Sequence, residues 1–300
     1  MAGSWLQFVA GGLTSGAIYA LVALGFSIVY NASHAINFAQ GEFVMLGGML
    51  AVSAVGLGLP MWAAVPLAVL GAALVGGLVQ WLALERAQAD GPSGVVTLII
   101  TTIGVALLLR GAAQVVWDKR IHALPPFSGD TPIALGGSGG AGGATVLPQS
   151  LWVLAGGALA VLALGAFFER TLYGKAMRAT AINALAARLA GISTRGVMRA
   201  SFALAAALGA LGGVLTAPIT FTSYDVGVML GLKGFAAAIL GGLGSFGGAV
   251  AGGLLLGLLE GLGAGFLSSA YKDAIAFVAI LAVLFFLPGG LFGARGSERV

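Results

Sequence analysis

Few residues in this sequence are of the types that carry out covalent chemistry. The chain of 300 residues has no cysteine, two histidines and only 8% charged residues. Without cysteine there is no disulfide, no thiolate nucleophile and no cysteine-ligated zinc. Gly136–Gly140 fits the G-x-S-x-G pattern and Gly242–Gly247 fits G-x-G-x-x-G, but neither has the strand–turn–helix setting in which those motifs act. We therefore predict no catalytic residue, no metal site, no cofactor held by this chain and no enzymatic activity.

A polar cluster interrupts apolar sequence between residues 31 and 43. Polar groups near hydrocarbon are costly, so they usually face protein or a water-filled path. Asn31, Ser33 and His34 are best explained as residues that end a helix. The rest of the cluster has two open interpretations, because its members either border a substrate pathway or only terminate helices. We predict the pathway role for Asn37, Gln40 and Glu42.

Three further charges lie within apolar stretches. Arg110 and Lys233 fall near predicted helix ends, which favours snorkelling of their side chains to the membrane surface. Glu260 lies among glycines spaced four apart, a pattern typical of a close seam between membrane helices. Its carboxylate is expected to bond within the helix bundle. The predicted packing ridge consists of Gly253, Gly257, Gly261 and Gly265.

The composition identifies the environment that these residues occupy. The chain is 59% hydrophobic with a mean hydropathy of +1.04, whereas soluble domains carry about 25% charged residues. Residues 1–41, 91–109, 200–224, 234–259 and 274–294 contain no charge, and a bilayer crossing takes about 20 apolar residues. The sequence therefore predicts an integral membrane protein, and its small basic excess argues little for nucleic acid.

We predict an all-α, polytopic bundle of eight or nine transmembrane helices that forms a single permease domain over residues 1–300. The segment Phe43–Val55 is apolar but short, so it is either a tilted span or a re-entrant, broken helix. A similar order of elements before and after the fourth long span suggests an inverted internal repeat. The predicted spans are Gly11–Tyr30, Pro60–Leu84, Val95–Val116, Leu151–Phe168, Ala200–Pro218, Gly234–Gly252, Gly253–Leu267 and Ala274–Leu287.

Two loops orient the chain in the membrane. The loop 169–199 carries six basic residues against one acid, so the positive-inside rule places it in the cytoplasm. The loop 118–150, one span earlier, is rich in glycine and proline and is nearly neutral. It is therefore predicted to be extracytoplasmic.

The cytoplasmic loop is predicted to hold a helix over Lys175–Ala190. Gly191 is a plausible stop for this helix, and Ser193 or Thr194 a plausible cap for the next span. Small side chains such as Ala186 and Ala187 would let the helix dock closely in a partner's groove. The alternative is a basic loop that lies on anionic lipid headgroups without a protein partner.

Three blocks of the sequence resemble one family. The first is GAIYALVALGF at 16–26, followed by INFAQGEF at 36–43. The second is GKAMRATA at 174–181 with LAGI at 189–192, and the third is LPGGLFG at 287–293. Together they resemble LivH-type permeases, one of two paralogous membrane subunits of branched-chain amino acid ABC importers. This chain has Gln40 where members often have histidine, and Asn183 where they often have an acidic residue.

The resemblance implies a multi-pass permease of the bacterial inner (plasma) membrane. Its implied partners are the lipid bilayer, a paralogous permease, two cytoplasmic ATPases and an extracytoplasmic substrate-binding protein, with ATP and magnesium on the ATPases. The chain would form the pathway for branched-chain or related small amino acids. The residues that the resemblance implies for ATPase coupling are Lys175, Arg178, Asn183, Ala186, Ala187 and Gly191.

Two other functions remain open at this point. The same class of importer also serves urea and short amides, and the substitution at Gln40 leaves the substrate undecided. An ion-coupled secondary transporter would also show repeats and interrupted helices, but it needs intramembrane acids that bind H⁺ or Na⁺. Only Glu42 and Glu260 are candidates for that role.

Overall fold

The computed structural model describes residues 2–87, 92–135, 144–266, 272–287 and 289–292. These residues form an α-helical protein with one small β-hairpin, in which β1 (Ile133–Leu135) pairs antiparallel with β2 (Ala144–Val146). The helices are α1 (Ala2–Ser33), α2 (Gln40–Gly56), α3 (Met61–Val79), α4 (Glu85–Ala87), α5 (Pro92–Trp117), α6 (Pro148–Arg170), α7 (Leu172–Ile182), α8 (Ala184–Leu189), α9 (Thr194–Thr220), α10 (Val226–Gly241), α11 (Phe246–Phe266) and α12 (Lys272–Phe286). A π-helical turn, Gln80–Leu84, joins α3 to α4.

Six helical stretches in the described part of the chain are long and apolar enough to cross a membrane: α1, α3 with its continuation to Ala87, α5, α6, α9 and α11. The chain is therefore an all-α, multi-pass membrane protein. Two further apolar helices, α2 and α10, have only 17 and 16 residues. Since each residue adds about 1.5 Å, they extend about 24–26 Å, less than the roughly 30 Å of a hydrocarbon core.

The predicted boundary between spans Gly234–Gly252 and Gly253–Leu267 is wrong. The chain turns earlier, over residues 242–245, and α11 already begins at Phe246. Gly242 and Gly244 adopt φ values of 102° and 89° there, a conformation that glycine reaches without strain. The turn carries no charge, and it is held against the end of α1, where Asn31 Nδ2 donates to the Gly244 carbonyl at 2.8 Å. Hydropathy alone could not show it.

The two ends of the bundle are distinguished by their loops. We call the end that carries α7, α8 and the start of α9 the basic end. The last turn of α6 reaches it, where Phe168 stacks on Phe246 with ring centroids 4.6 Å apart. At the opposite end lie the hairpin and a backbone bridge in which the His122 and Thr222 amides each donate to the other's carbonyl.

Glycines bring α1 and α11 into direct backbone contact. The four members of the predicted ridge all face α1, and a Cβ on any of them would overlap it. Gly253 lies against Ala20, and Gly257 lies between Gly12 and Gly16. Close approach of this kind is how membrane helices gain packing energy, because lipid offers no hydrophobic drive for helices to associate.

The short helices α2 and α10 start from two similar breaks in the chain. The first follows α1 and the second follows α9, and each opens with a non-glycine residue at positive φ, His34 (53°) and Phe221 (61°). The two helices then meet at their N-terminal ends, where Gly41 lies against Gly227 and Gly231 with no room for a Cβ. Two interrupted helices thus converge inside the bundle.

Candidate functional site

A cleft opens on the protein surface beside the meeting point of α2 and α10. We refer to it as the cleft; it has a volume of about 200 Å³. Its walls are aliphatic and aromatic side chains from α1, α5, α10 and the break before α2, and its lining includes Phe26, Phe38, Ile103, Leu107, Val228, Leu232 and Phe235. Only two of its lining side chains are polar, Glu42 and Arg110.

Glu42 and Arg110 form an ion pair in the cleft. Arg110 Nη2 lies 2.5 Å from Glu42 Oε1. The Glu42 side chain is 3% exposed, whereas that of Arg110 is 27% exposed. Glu42 belongs to the first turn of α2 and Arg110 to α5, so the pair ties the start of the interrupted helix to a neighbouring span. Because Arg110 lies seven residues before the end of α5 and pairs inside the protein, the snorkelling interpretation does not describe it.

The pair leaves hydrogen-bonding capacity unused. Among the described residues, neither Glu42 Oε2 nor Arg110 Nε has a hydrogen-bond partner, although both atoms are buried. A buried polar atom without a partner costs about 1–3 kcal/mol. Such atoms beside a cleft mark a place where a ligand can supply the missing bonds.

Asn37 and Gln40 do not line the cleft. Both are buried, at 1% and 0% exposure. Asn37 Oδ1 accepts a hydrogen bond from the Ala39 amide, which shapes the break before α2. Gln40 Nε2 donates to the Ala205 carbonyl of α9 at 2.9 Å. Of the three predicted pathway residues, the structure therefore brings only Glu42 to the cleft, while the other two hold the helix start that carries it.

A second charged cluster lies within the bundle around Glu260. Lys233 Nζ lies 2.6 Å from both Glu260 Oε1 and Asp273 Oδ1, and Lys272 Nζ lies 3.0 Å from Glu260 Oε1. The Tyr19 hydroxyl donates to Glu260 Oε2 at 2.6 Å. The expectation that Glu260 bonds within the bundle is confirmed. The snorkelling prediction for Lys233 is wrong, because its side chain is 9% exposed and lies in the middle of α10.

The basic loop forms two helices instead of the single predicted helix over Lys175–Ala190. The chain is extended at Asn183 (φ −155°, ψ 101°), and Asn183 Oδ1 caps α8 by accepting from the Ala186 amide. An asparagine there favours a new N-terminus over helix continuation. Gly191 (φ 84°) ends the segment, and Ser193 Oγ caps α9, as expected for these two residues.

The two alanines predicted to face a partner lie on different faces of α8. Ala186 is exposed, but Ala187 is buried at 4% and packs inside this chain. The inference that Ala187 is free to dock in a partner's groove is therefore wrong, because its one-residue offset from Ala186 turns it inward. Lys175, Arg178 and Asn183 are exposed.

The basic loop also carries an exposed apolar surface, which its basic residues do not predict. Large side chains of α7 and α8 project away from the bundle, and several are exposed by more than 80%. A surface of this kind on an otherwise basic segment marks a contact with protein or lipid. We call it the loop patch; it consists of Leu172, Tyr173, Ile182, Leu185 and Leu189.

Little in the sequence indicates that Arg110 belongs to the site. Its partner Glu42 lies 68 positions away, and the residues between them contain no motif that predicts the contact. The one available signal was the cost of an isolated charge in an apolar stretch, which requires a partner without naming it.

Within the described ranges, no cluster of three or more metal-binding side chains occurs.

The fold and the cleft together define a multi-pass, α-helical membrane protein with interrupted helices beside a small, largely apolar site. The chain belongs to the family described as branched-chain amino acid transport system / permease component, whose model matches residues 8–284. It is 33% identical over 305 residues to the high-affinity branched-chain amino acid transport system permease protein LivH of Escherichia coli K12, covering 99% of this chain and 98% of that relative.

Another relative and one solved structure extend this comparison. The permease protein BraD of the same type of transport system in Pseudomonas aeruginosa is 32% identical over 303 residues, again with 99% and 98% coverage. The structure of PsaBC from Streptococcus pneumoniae in complex with Fab aligns over 97% of this chain and 92% of its own, with a TM-score of 0.48 at 14% identity. The family match and the LivH and BraD relatives confirm the resemblance to LivH-type permeases inferred from sequence.

Proposed function

We propose that this chain is the permease subunit of a binding-protein-dependent ABC importer and forms part of the pathway for branched-chain amino acids across the bacterial inner membrane. The names of the relatives support the substrate class. The cleft is the observation that carries the proposal, since its walls are aliphatic and aromatic and its volume of about 200 Å³ is below the roughly 300–1,000 Å³ of pockets for drug-sized ligands. A small apolar amino acid suits such a site.

The cleft is open along one side, which supports a second permease subunit as its missing wall. Phe38, Ile103, Leu107 and Leu232 line it and are exposed on this chain. In the proposed complex a paralogous permease covers them, a substrate-binding protein delivers the amino acid at the opposite end, and two ATPases bind at the basic end. Asn37 and Gln40 then act as pathway supports that position Glu42.

We further propose nine crossings, with the N-terminus outside and the C-terminus inside. The six long spans would be joined by α2, α10 and α12, and the two short helices cross together with the non-helical segments that precede them. The basic loop at one end supports this orientation. The paired breaks after α1 and α9 support an inverted repeat, in which α6 is the single connecting span.

The proposed ATPase contact is the loop patch with the exposed charges around it. Ile182 and Leu189 are 88% and 83% exposed, and burial of apolar area is the main favourable term in protein association. Lys175, Arg178 and Ala186 would contribute to the same face, Ala187 would anchor α8 to the permease, and Asn183 and Gly191 would set the directions of α7, α8 and α9.

The transport proposal is tested in proteoliposomes that contain both permease subunits, the ATPases and the binding protein. Leucine uptake is expected only when ATP is present on the membrane face that carries the ATPases and the binding protein is present on the opposite face. Uptake by this chain alone, driven by a proton or sodium gradient, would establish an ion-coupled transporter instead.

The docking proposal is tested with Ile182→Ser/Leu189→Ser. Both side chains are exposed, so the variant should insert and fold, but it should lose ATPase co-purification and substrate-stimulated hydrolysis. The control Ile182→Leu/Leu189→Ile keeps the apolar surface and should behave as wild type. Should the serine variant retain both properties while Lys175→Gln loses them, the segment binds lipid headgroups rather than the ATPase.

A further inference from the structure

The cleft combines an ion pair, buried polar atoms without hydrogen-bond partners and an otherwise apolar lining. Its deepest polar groups are a carboxylate and a guanidinium in contact, Glu42 and Arg110. Each group keeps one buried atom without a hydrogen-bond partner among the described residues. Every other lining side chain is apolar or is a glycine.

The ion pair is electrically neutral and accessible from one side. Arg110 has five N–H donors, and its side chain is 27% exposed towards the cleft that it lines. Glu42 is almost fully covered, so a ligand reaches it only by approaching past Arg110. A ligand that carried one net charge would leave that charge uncompensated in a low-dielectric place, which is costly. A ligand with both charges adds none.

The apolar wall selects the rest of the ligand. Ile103, Leu107, Val228 and Leu232 provide aliphatic surface, and Phe235 contacts Phe38 and Phe26 with ring centroids 6.0 and 5.5 Å apart. This wall offers no polar side chain to bond the hydroxyls of a sugar or the second amide nitrogen of urea. Burial of a polar group without a partner disfavours such ligands.

We propose that Glu42 and Arg110 bind the zwitterionic head group of an α-amino acid within the permease itself. This inference rests on the proposed function and deepens it. The carboxylate of the ligand accepts hydrogen bonds from the Arg110 guanidinium, its ammonium donates to the Glu42 carboxylate, and its aliphatic side chain lies along the wall. The ligand thus inserts between two side chains that pair with each other in the empty cleft, and it offers partners to the two buried atoms that the pair leaves without one.

The test measures binding to the purified transporter complex in nanodiscs, without the binding protein, so that only the membrane subunits select the ligand. Displacement of radiolabelled leucine is compared for leucine, for leucinamide, which lacks the carboxylate, and for 4-methylpentanoate, which lacks the ammonium. Wild-type complex should prefer leucine to either analogue by about tenfold or more, because a site built to bond a polar group rejects ligands that lack it.

Two variants should each remove one part of this selectivity. In Arg110→Gln the preference for leucine over leucinamide should fall to about one, while the preference over 4-methylpentanoate persists. In Glu42→Gln the preference for leucine over 4-methylpentanoate should fall to about one, while the preference over leucinamide persists. The double variant Glu42→Gln/Arg110→Gln controls for folding, because loss of both charges leaves neither one buried and unpaired. It should assemble normally but fail to discriminate among the three ligands.

Several outcomes would overturn the inference. One is retention of the wild-type leucine preference in either single variant, and another is recovery of that preference in the double variant, which would make the pair purely structural. Absence of any leucine binding by the wild-type complex would mean that the paralogous subunit fills the cleft. In each case ATP-dependent leucine uptake by the wild-type complex with its binding protein still decides the proposed function separately.

Discussion

The buried charges around Glu260 allow a quantitative test of how this bundle is held together. Lys233, on α10, lies 2.6 Å from Glu260 on α11, with side-chain exposures of 9% and 0%. Breaking a buried pair by removing one partner typically costs about 3–5 kcal/mol, because it leaves an uncompensated charge. Here each charge keeps a second partner, Asp273 for Lys233 and Lys272 for Glu260. We therefore expect Lys233→Met and Glu260→Leu each to destabilise the protein by about 3 kcal/mol, the low end of that range.

The double variant Lys233→Met/Glu260→Leu should lose far less unfolding free energy than the sum of the losses in the two single variants. Replacement of both partners by apolar residues of similar volume is often close to neutral, and Lys272 and Asp273 remain beside each other at partly exposed positions. We expect it to lose no more than about 1 kcal/mol. With about 3 kcal/mol lost in each single variant and about 1 kcal/mol in the double variant, the coupling energy between the two sites should be about 5 kcal/mol in magnitude.

Equilibrium unfolding of the purified permease in mixed detergent micelles provides the measurement. Lys175→Met is the matched control, since it makes the same substitution at an exposed position and should change stability by less than about 0.5 kcal/mol. Additive losses in the double variant would refute the reasoning, because they would mean that the two charges do not stabilise each other.

The remaining predictions concern packing, orientation and coupling. Gly47→Ala should destabilise by about 1–3 kcal/mol, since its Cβ would overlap the α9 backbone, whereas Gly56→Ala meets nothing within 4 Å and should be neutral in the same unfolding assay. Asp130→Cys should react with an impermeant thiol reagent in intact cells and Ala190→Cys should not; the opposite labelling would invert the proposed orientation. Gln40→Ala should keep ATPase binding but lower leucine uptake severalfold, because α2 loses its bond to α9; unchanged uptake would leave this bond without a role in transport.

The membrane class and most of the long helices could be predicted because they depend on local composition. Uncharged stretches of about 20 residues are visible without any tertiary information, and α5, α6 and α9 lie close to their predicted spans. The turn over residues 242–245 was not predictable from charge or hydropathy, because none of its residues is charged. The break between α7 and α8 was not predictable from the sequence. Asn183 is only weakly unfavourable in a helix by propensity, and its role as a cap depends on the chain that follows it.

The candidate site was only partly predictable, for a reason that Glu42 and Arg110 illustrate. A sequence shows that a charge in an apolar stretch needs a partner, but the identity of that partner depends on which helices pack together. The polar neighbours of Glu42 indicate its role, whereas Arg110 stands alone in α5 and its position predicts a side chain at the membrane surface. The same argument applies to Lys233, whose two acidic partners lie on α11 and α12.

One helix connects the basic end to the cleft. At the basic end, α9 begins beside the loop patch, where Arg188 Nε donates to Thr194 Oγ1 at 2.9 Å. Ala205 lies eleven residues further along, about 16 Å up the helix, and its carbonyl holds Gln40. Gln40 is the first residue of α2, two positions before Glu42.

A displacement of α8 along its contact with α9 would therefore reach the ion pair through one continuous helix and one hydrogen bond, without crossing a flexible loop. This continuity makes Arg188 and Gln40 the two residues between which energetic coupling should be measured. A double-mutant cycle between Arg188→Ala and Gln40→Ala, scored on substrate-stimulated ATP hydrolysis, should be non-additive if α9 transmits the motion and additive if another route does.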